Sequence, residues 1–266
     1  MDKRKSSNLI IKGRNLIFSS PVLLLFLWEA LSRFNLINAV YFPSPSNIFM
    51  RFIQLLFYNQ QFLIDIKSSV VRLIIGTVVA VPMAIIVGVG VGLNRKIDRF
   101  ISPLIAITYP IPKLCILPLL MIIFGIADAS KIAIIAIGIF YLVLLSVIQG
   151  IKGLPNIYFD IIFVYRITFA KKIFSVVLKG ILPDILNGCK AGIGYGLVMV
   201  VAGEFIAAKN GVGFFMWNAW DQFRIKDLYV GLTFFSFMGW GIFTFFDWLL
   251  SKIKWRNNNA SRTINL

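Results

Sequence analysis

Apolar residues run along this chain in long uninterrupted blocks, without the regular polar face of a water-soluble helix or strand. A helix needs about 20 apolar residues to cross roughly 30 Å of bilayer hydrocarbon. Six blocks reach that length, at 15–34, 69–92, 101–124, 131–150, 188–208 and 229–250. The pattern predicts an all-α polytopic membrane protein with six transmembrane helices. Its domain plan is a basic N-terminus at 1–14, a transmembrane domain at 15–250 and a basic tail at 251–266. The first block follows Lys3, Arg4, Lys5, Lys12 and Arg14, as in a signal peptide. It is long, however, contains Glu29 and lacks a small-residue cleavage site, so it reads as a retained span.

Three segments break the apolar pattern. The longest, 150–187, is amphipathic and cationic, which predicts helical structure outside the bilayer that meets a soluble partner. Residues 43–66 open with PSPSN, where Ser44 or Ser46 is placed to cap an amphipathic stretch lying at the membrane surface. Residues 209–228 are rich in aromatics, with Trp217 and Trp220 suited to the headgroup belt, and predict a short re-entrant or interfacial segment. Basic residues set the orientation. Arg95, Lys96, Arg99, Lys152, Lys171, Lys172, Lys179 and both terminal clusters fall on one side, which predicts cytoplasmic termini and a cytoplasmic 150–187 segment.

Composition narrows the chemistry. The chain is 59% hydrophobic with a formal net charge of +16, and its mean hydropathy is +0.85. The cations cluster in interhelical loops and at the ends, rather than on one soluble face as nucleic-acid binding requires. Histidine is absent from the sequence, which removes histidine acid–base chemistry and most transition-metal sites. Cys115 and Cys189 lie far apart within apolar blocks and read as small buried hydrophobes. No cofactor, metal or catalytic set is expected, and no Gly-Lys-Ser/Thr phosphate loop is present, so ATP hydrolysis would have to come from another subunit.

Within the spans, Gly188, Gly192 and Gly196 fall at i, i+4 and i+8, as do Ala84, Gly88 and Gly92. That spacing predicts close helix–helix packing. The third span carries Pro103, Pro110, Pro112 and Pro118 beside Lys113, so it must kink or locally unwind. Two readings stand for Pro110, Pro112 and Lys113: a bend that shapes the bundle, or a segment lining a pathway. Glu204 lies deep in VMVVAGEFIAA, as a pathway or gate residue or as a carboxylate paired to fix helix packing.

Taken in order, FPSPSNIF (42–49), the run from Asp98 to Tyr141, the run from Val176 to Ile206 and NGVGF (210–214) resemble permease subunits of bacterial binding-protein-dependent ABC importers. The resemblance is to the nitrate, taurine and aliphatic sulfonate subgroup. It implies a type I importer permease (MetI-like) bundle in the bacterial cytoplasmic membrane. It also implies a second permease copy, a separate ATP-binding subunit and an extracytoplasmic substrate-binding protein. In that family the loop before the fifth span docks on the ATPase through a Glu-Ala-Ala…Gly pattern. Here Asp160 takes the Glu position, Ile161 and Ile162 the alanines and Arg166 the glycine; Lys179 stands for the first proline, and Leu182–Pro183 keeps the second Leu-Pro. The resemblance therefore points to Asp160, Tyr165, Arg166, Thr168, Phe169 and Lys171 as ATPase contacts. The run 157–178 that holds them is amphipathic, and it also reads as a helix resting on anionic lipid. The rival function is a stand-alone ion-coupled carrier using Glu204 or Glu29, although no internal repeat supports it.

Overall fold

The computed structural model describes residues 20–165 and 168–263, with backbone alone at Phe169, Ala207 and 254–263. The N-terminal cluster at 1–14 and Arg166 therefore lie outside the described residues. In chain order the helices are α1 (20–33), α2 (Pro45–Tyr58), α3 (Gln60–Leu93), α4 (Arg95–Thr108), α5 (Leu117–Phe124) and α6 (Asp128–Lys152). They continue with α7 (Asn156–Val164), the short turns α8 (Phe169–Lys171) and α9 (Leu178–Gly180), then α10 (Leu182–Ala207), α11 (Val212–Asp221) and α12 (Ile225–Thr263). A 3-10 turn, Lys113–Ile116, precedes α5, and a π-helical turn, Lys172–Val177, joins α8 to α9. The described residues fall into two compact units, those within Met1–Leu63 and Phe215–Thr233, and those within Ile64–Phe214 and Phe234–Leu266.

Among the described residues, four helices are long and apolar enough to cross a membrane: α3, α6, α10 and the first part of α12. A fifth crossing arises if α4 and the Lys113–Phe124 segment, bent by 92°, form one span. The first predicted span, 15–34, begins outside the described residues. The interfacial stretch predicted at 43–66 divides at Asn59. Residues 45–58 form α2, while 60–66 already belong to α3, which therefore starts nine positions before the predicted span at 69.

In the first unit, the cap on α2 differs from the predicted one. Ser44 occupies the N-cap position but its side chain makes no capping bond. The Glu29 carboxylate, from α1, instead accepts the Ser46 N–H at 2.9 Å and the Ser46 hydroxyl at 2.7 Å. A full negative charge at a helix N-terminus performs the cap's task more strongly than a hydroxyl does. Arg51 and Arg224 both donate to the buried Asp227 carboxylate, at 2.7 and 2.6 Å. Phe62 is buried against Phe52 and Phe215.

The second unit is organised around α6. The glycine face of α3 meets it: a Cβ on Gly88 would lie 2.7 Å from Val147 Cγ1, and one on Gly92 2.8 Å from Ile151 Cδ1. The glycine face of α10 meets it as well. A Cβ on Gly188 would lie 2.6 Å from Ser146 Cβ, on Gly192 3.2 Å from the Ile139 carbonyl, and on Gly196 2.9 Å from Ile139 Cδ1. Contacts this short leave little room for a side chain unless a neighbour shifts, so small residues set the distance between helix axes. Ile134, Ile135, Ile139, Val143 and Val147 of α6 are fully buried between these neighbours. Such packing fixes the frame on which the polar groups are mounted.

Candidate translocation and coupling sites

The first site is the break in the proline-rich span. After Thr108 the chain leaves the α-helix and resumes at Lys113. In a continuous helix the Thr108 carbonyl would accept from residue 112, but Pro112 has no N–H. The Ile111 N–H reaches that carbonyl only at 3.3 Å, and Lys113 adds a second donor with its side chain. Its ammonium donates to the Thr108 carbonyl at 2.8 Å and to the Tyr109 carbonyl at 3.0 Å. A cation at a helix C-terminus is favoured by the exposed carbonyl dipoles. The same ammonium sits 4.1 Å from the Tyr141 ring centroid and 5.7 Å from that of Tyr109. Tyr141 donates its hydroxyl to Thr108 Oγ1 at 2.8 Å. Lys113 is buried yet makes no ion pair with a described residue. With Pro110, Pro112, Tyr141 and Tyr195 it lines a pocket of about 350 Å³.

The second site is a buried polar cluster holding Glu204. Asp65, Ser69 and Arg72 fall at i, i+4 and i+7 on α3 and so share one face. Arg72 Nη1 donates to Glu204 Oε1 at 2.6 Å and to the Asn210 carbonyl at 2.9 Å. Its Nη2 and Nε donate to Asp128 Oδ1 at 2.7 and 2.9 Å, and Nη2 also bonds the Asn210 side-chain oxygen. The Ser69 hydroxyl reaches the Glu204 carboxylate at 2.8 Å, and the Gly213 N–H donates to Glu204 Oε2 at 2.8 Å. The Gly211 and Val212 amides donate to Asp65 and to Ser69 Oγ, both at 2.8 Å. Both Glu204 oxygens are therefore engaged, in a side chain with no solvent exposure.

The glycines of the NGVG sequence make this approach possible. Gly211 has φ +120°, which only glycine adopts readily, and a Cβ there would lie 2.4 Å from Glu204 Cδ. A Cβ on Gly213 would lie 2.7 Å from Glu204 Cβ. Arg72, Ser69, Asp128 and Asn210 are not among the candidates drawn from the sequence. The signal that marks Arg72 is a lone cation in the apolar run SSVVRLIIG, where an unpaired charge is costly.

The third site is the segment between α6 and α10. The sequence predicts one amphipathic run over 157–178, whereas α7 ends at Val164 and a π-helical turn follows at Lys172–Val177. The α7 stretch NIYFDIIFV is apolar on nearly every side, and none of its residues is buried. Phe163, Val164 and Tyr165 are 85%, 71% and 75% exposed. Asp160, Thr168 and Lys171 are also exposed, while Arg166 and the Phe169 side chain lie outside the described residues. Among the described residues, no cluster of three His, Cys, Asp or Glu side chains is placed to hold a metal ion.

Long apolar helices packed through glycine faces, one bent at prolines, and a buried charge cluster between them define a polytopic α-helical membrane protein of transporter type. The family model described as "Binding-protein-dependent transport system inner membrane component" matches residues 80–256, and the chain belongs to that family. It is 30% identical over 209 residues to the taurine transport system permease protein of Escherichia coli (strain K12), covering 77% of this chain and 76% of that one. It is 25% identical over 239 residues to a putative aliphatic sulfonates transport permease protein of Bacillus subtilis (strain 168), covering 90% and 86%. Among solved structures it shares the fold of a chain from the inward-facing MetNI methionine ABC transporter. That match has a TM-score of 0.60 at 17% identity and covers 69% of this chain and 94% of that one. The MetI-like fold and the permease class read from the sequence both stand.

Proposed function

We propose that this chain is the translocation subunit of an ABC importer, moving a small solute delivered by an extracytoplasmic binding protein. It works beside a second permease copy and is driven by a separate ATP-binding subunit. In this reading both termini and the 150–187 segment face the cytoplasm, and the ATPase docks on 157–178 through Asp160, Tyr165, Arg166, Thr168, Phe169 and Lys171. The broken span, with Pro110, Pro112 and Lys113 around its pocket, lines the solute's path. Glu204 braces the wall of that path rather than carrying an ion, since its oxygens are already committed to Arg72, Ser69 and Gly213.

The observation that carries the reading is α7. Its own chain only partly covers Tyr158, Phe159 and Ile162 and leaves Ile157, Ile161, Phe163 and Val164 exposed, so docking elsewhere would stabilise a helix this short, which is marginal alone. Aromatic anchors commonly dominate a small interface. The test is capture of the ATPase subunit encoded with this permease. Phe163→Ala with Tyr165→Ala should release it by at least tenfold while membrane insertion is unchanged. Unchanged capture would remove α7 as the docking element.

A further inference from the structure

We infer that the polar ends of α3, α4 and α6 form a binding site for the phosphate of an anionic phospholipid. The site is a pocket of about 450 Å³ lined by Arg95, Lys152 and Lys172, with Asp98 as its carboxylate and Val91, Leu93 and Phe159 as its apolar wall. Charge in this pocket does not balance. Lys152 donates to both Asp98 oxygens, at 2.9 and 2.8 Å, and the Ser102 hydroxyl adds a further bond at 2.5 Å. The carboxylate is thereby consumed. The side chains of Arg95 and Lys172 make no hydrogen bond or ion pair with any described residue, although Lys172 is half-buried. The backbone amides at the start of α4 do not supply the binding either, because Asn94 Oδ1 already accepts from the Lys96 and Ile97 N–H groups. Among the described residues lining the pocket, one guanidinium fork and one ammonium are left without an anionic partner.

Position decides the class of anion. The apolar run of α3 ends at Leu93 and that of α6 at Lys152, so the pocket lies at the depth where hydrocarbon gives way to headgroups. An arginine fork matches two oxygens of a phosphate diester, and a lysine adds a point charge. The apolar wall suits a glycerol backbone, and the exposed Ile97 and Phe100 of α4 offer a surface for acyl chains. Basic pockets between transmembrane helices bind acidic headgroups by this combination. Phe159 and Lys172 lie in the segment proposed to dock the ATPase, but lipid retention is measured on the chain without that subunit, so failure of one reading is distinguishable from failure of the other.

The test is lipid retention by the purified chain. It is reconstituted with equal phosphatidylglycerol and phosphatidylethanolamine, delipidated in mild detergent and weighed by native mass spectrometry. Phosphatidylglycerol should remain bound and phosphatidylethanolamine should not. Arg95→Gln with Lys172→Gln should lower retention at least tenfold, and the charge-preserving Arg95→Lys with Lys172→Arg should restore it. Lys67→Gln with Lys209→Gln, exposed near the opposite ends of α3 and α10, should leave it unchanged. Equal retention in the double glutamine variant overturns the site. So does equal retention of the two lipids, or displacement of the lipid by millimolar inorganic phosphate, which would make it a free-anion site.

Discussion

Arg72 and Glu204 stand 132 positions apart in the sequence, and Nη1 of the arginine donates to Oε1 of the glutamate at 2.6 Å, with both side chains closed to solvent. The pair joins α3 to the end of α10, and Arg72 extends the link to Asp128 at the start of α6. Removing one member leaves the other charged and buried, which costs about 3–5 kcal/mol. Arg72→Met should therefore lower the melting temperature of the detergent-purified chain sharply. Glu204→Gln should cost less, because Arg72 keeps Asp128 and the Asn210 carbonyl as partners and the amide oxygen, placed at the Oε2 position, still accepts from Ser69 and Gly213. A melting temperature for Arg72→Met within 2 °C or so of the parent would show the pair to be dispensable, since about 1 kcal/mol moves a domain of this size by roughly 2–4 °C.

Gly211→Ala tests the same cluster from the backbone side. A φ of +120° costs a non-glycine residue about 1–3 kcal/mol, and the new Cβ would meet Glu204 Cδ. The variant should melt well below the parent. Equal melting would mean that the NGVG turn relaxes freely and does not position Glu204.

Two glycines of α3 separate packing from propensity. Gly88→Ala places a methyl 2.7 Å from Val147 Cγ1 and 2.9 Å from its Cβ, so it should destabilise by about 1–3 kcal/mol. Gly90→Ala meets nothing within 4 Å and should be neutral, or stabilising by up to about 1 kcal/mol. Thermal melting of the two variants checks the order, and a reversed order would contradict the helix contacts described for α6.

Lys113→Met removes the donor that replaces the absent Pro112 N–H, while Lys113→Arg keeps a cation at the same break. The methionine variant should lose solute uptake at least tenfold and the arginine variant should keep more of it. ATPase capture should be equal in both. Parental uptake by Lys113→Met would assign Lys113 to shaping the bend alone.

The legible part of this molecule was local. Apolar block length gives the membrane class, glycines at i, i+4 and i+8 mark the faces that meet α6, and the prolines around Lys113 announce the 92° bend. Groups brought together only by packing were hidden. Nothing near Arg72 names Glu204 as its partner, and nothing near Ser46 names Glu29 as the cap. The extension of α3 back to Gln60 was also hidden, because residues 60–67 carry Asp65 and Lys67. Asp65 meets the Gly211 N–H instead of solvent, so a polar residue that reads as a span boundary lies inside the helix. The amphipathic reading of 157–178 missed for a different reason: α7 is too uniformly apolar to show a polar face.

The proposed orientation rests on the distribution of basic residues and is open to labelling. Single cysteines at Asn59 and Asn218 should react with an impermeant thiol reagent in intact cells, and one at Lys171 should react only after permeabilisation. Reaction at Lys171 from outside would invert the arrangement.

Energy coupling is the centre of the account, and uptake in proteoliposomes measures it directly. The permease is reconstituted with its ATPase subunit and its binding protein, and solute accumulation is followed with ATP inside or outside, or with only a proton or sodium gradient. Uptake should require ATP on the side of the ATPase, together with the binding protein, and the permease alone should give none under either gradient. Gradient-driven uptake by the isolated chain would contradict the account and establish an ion-coupled carrier.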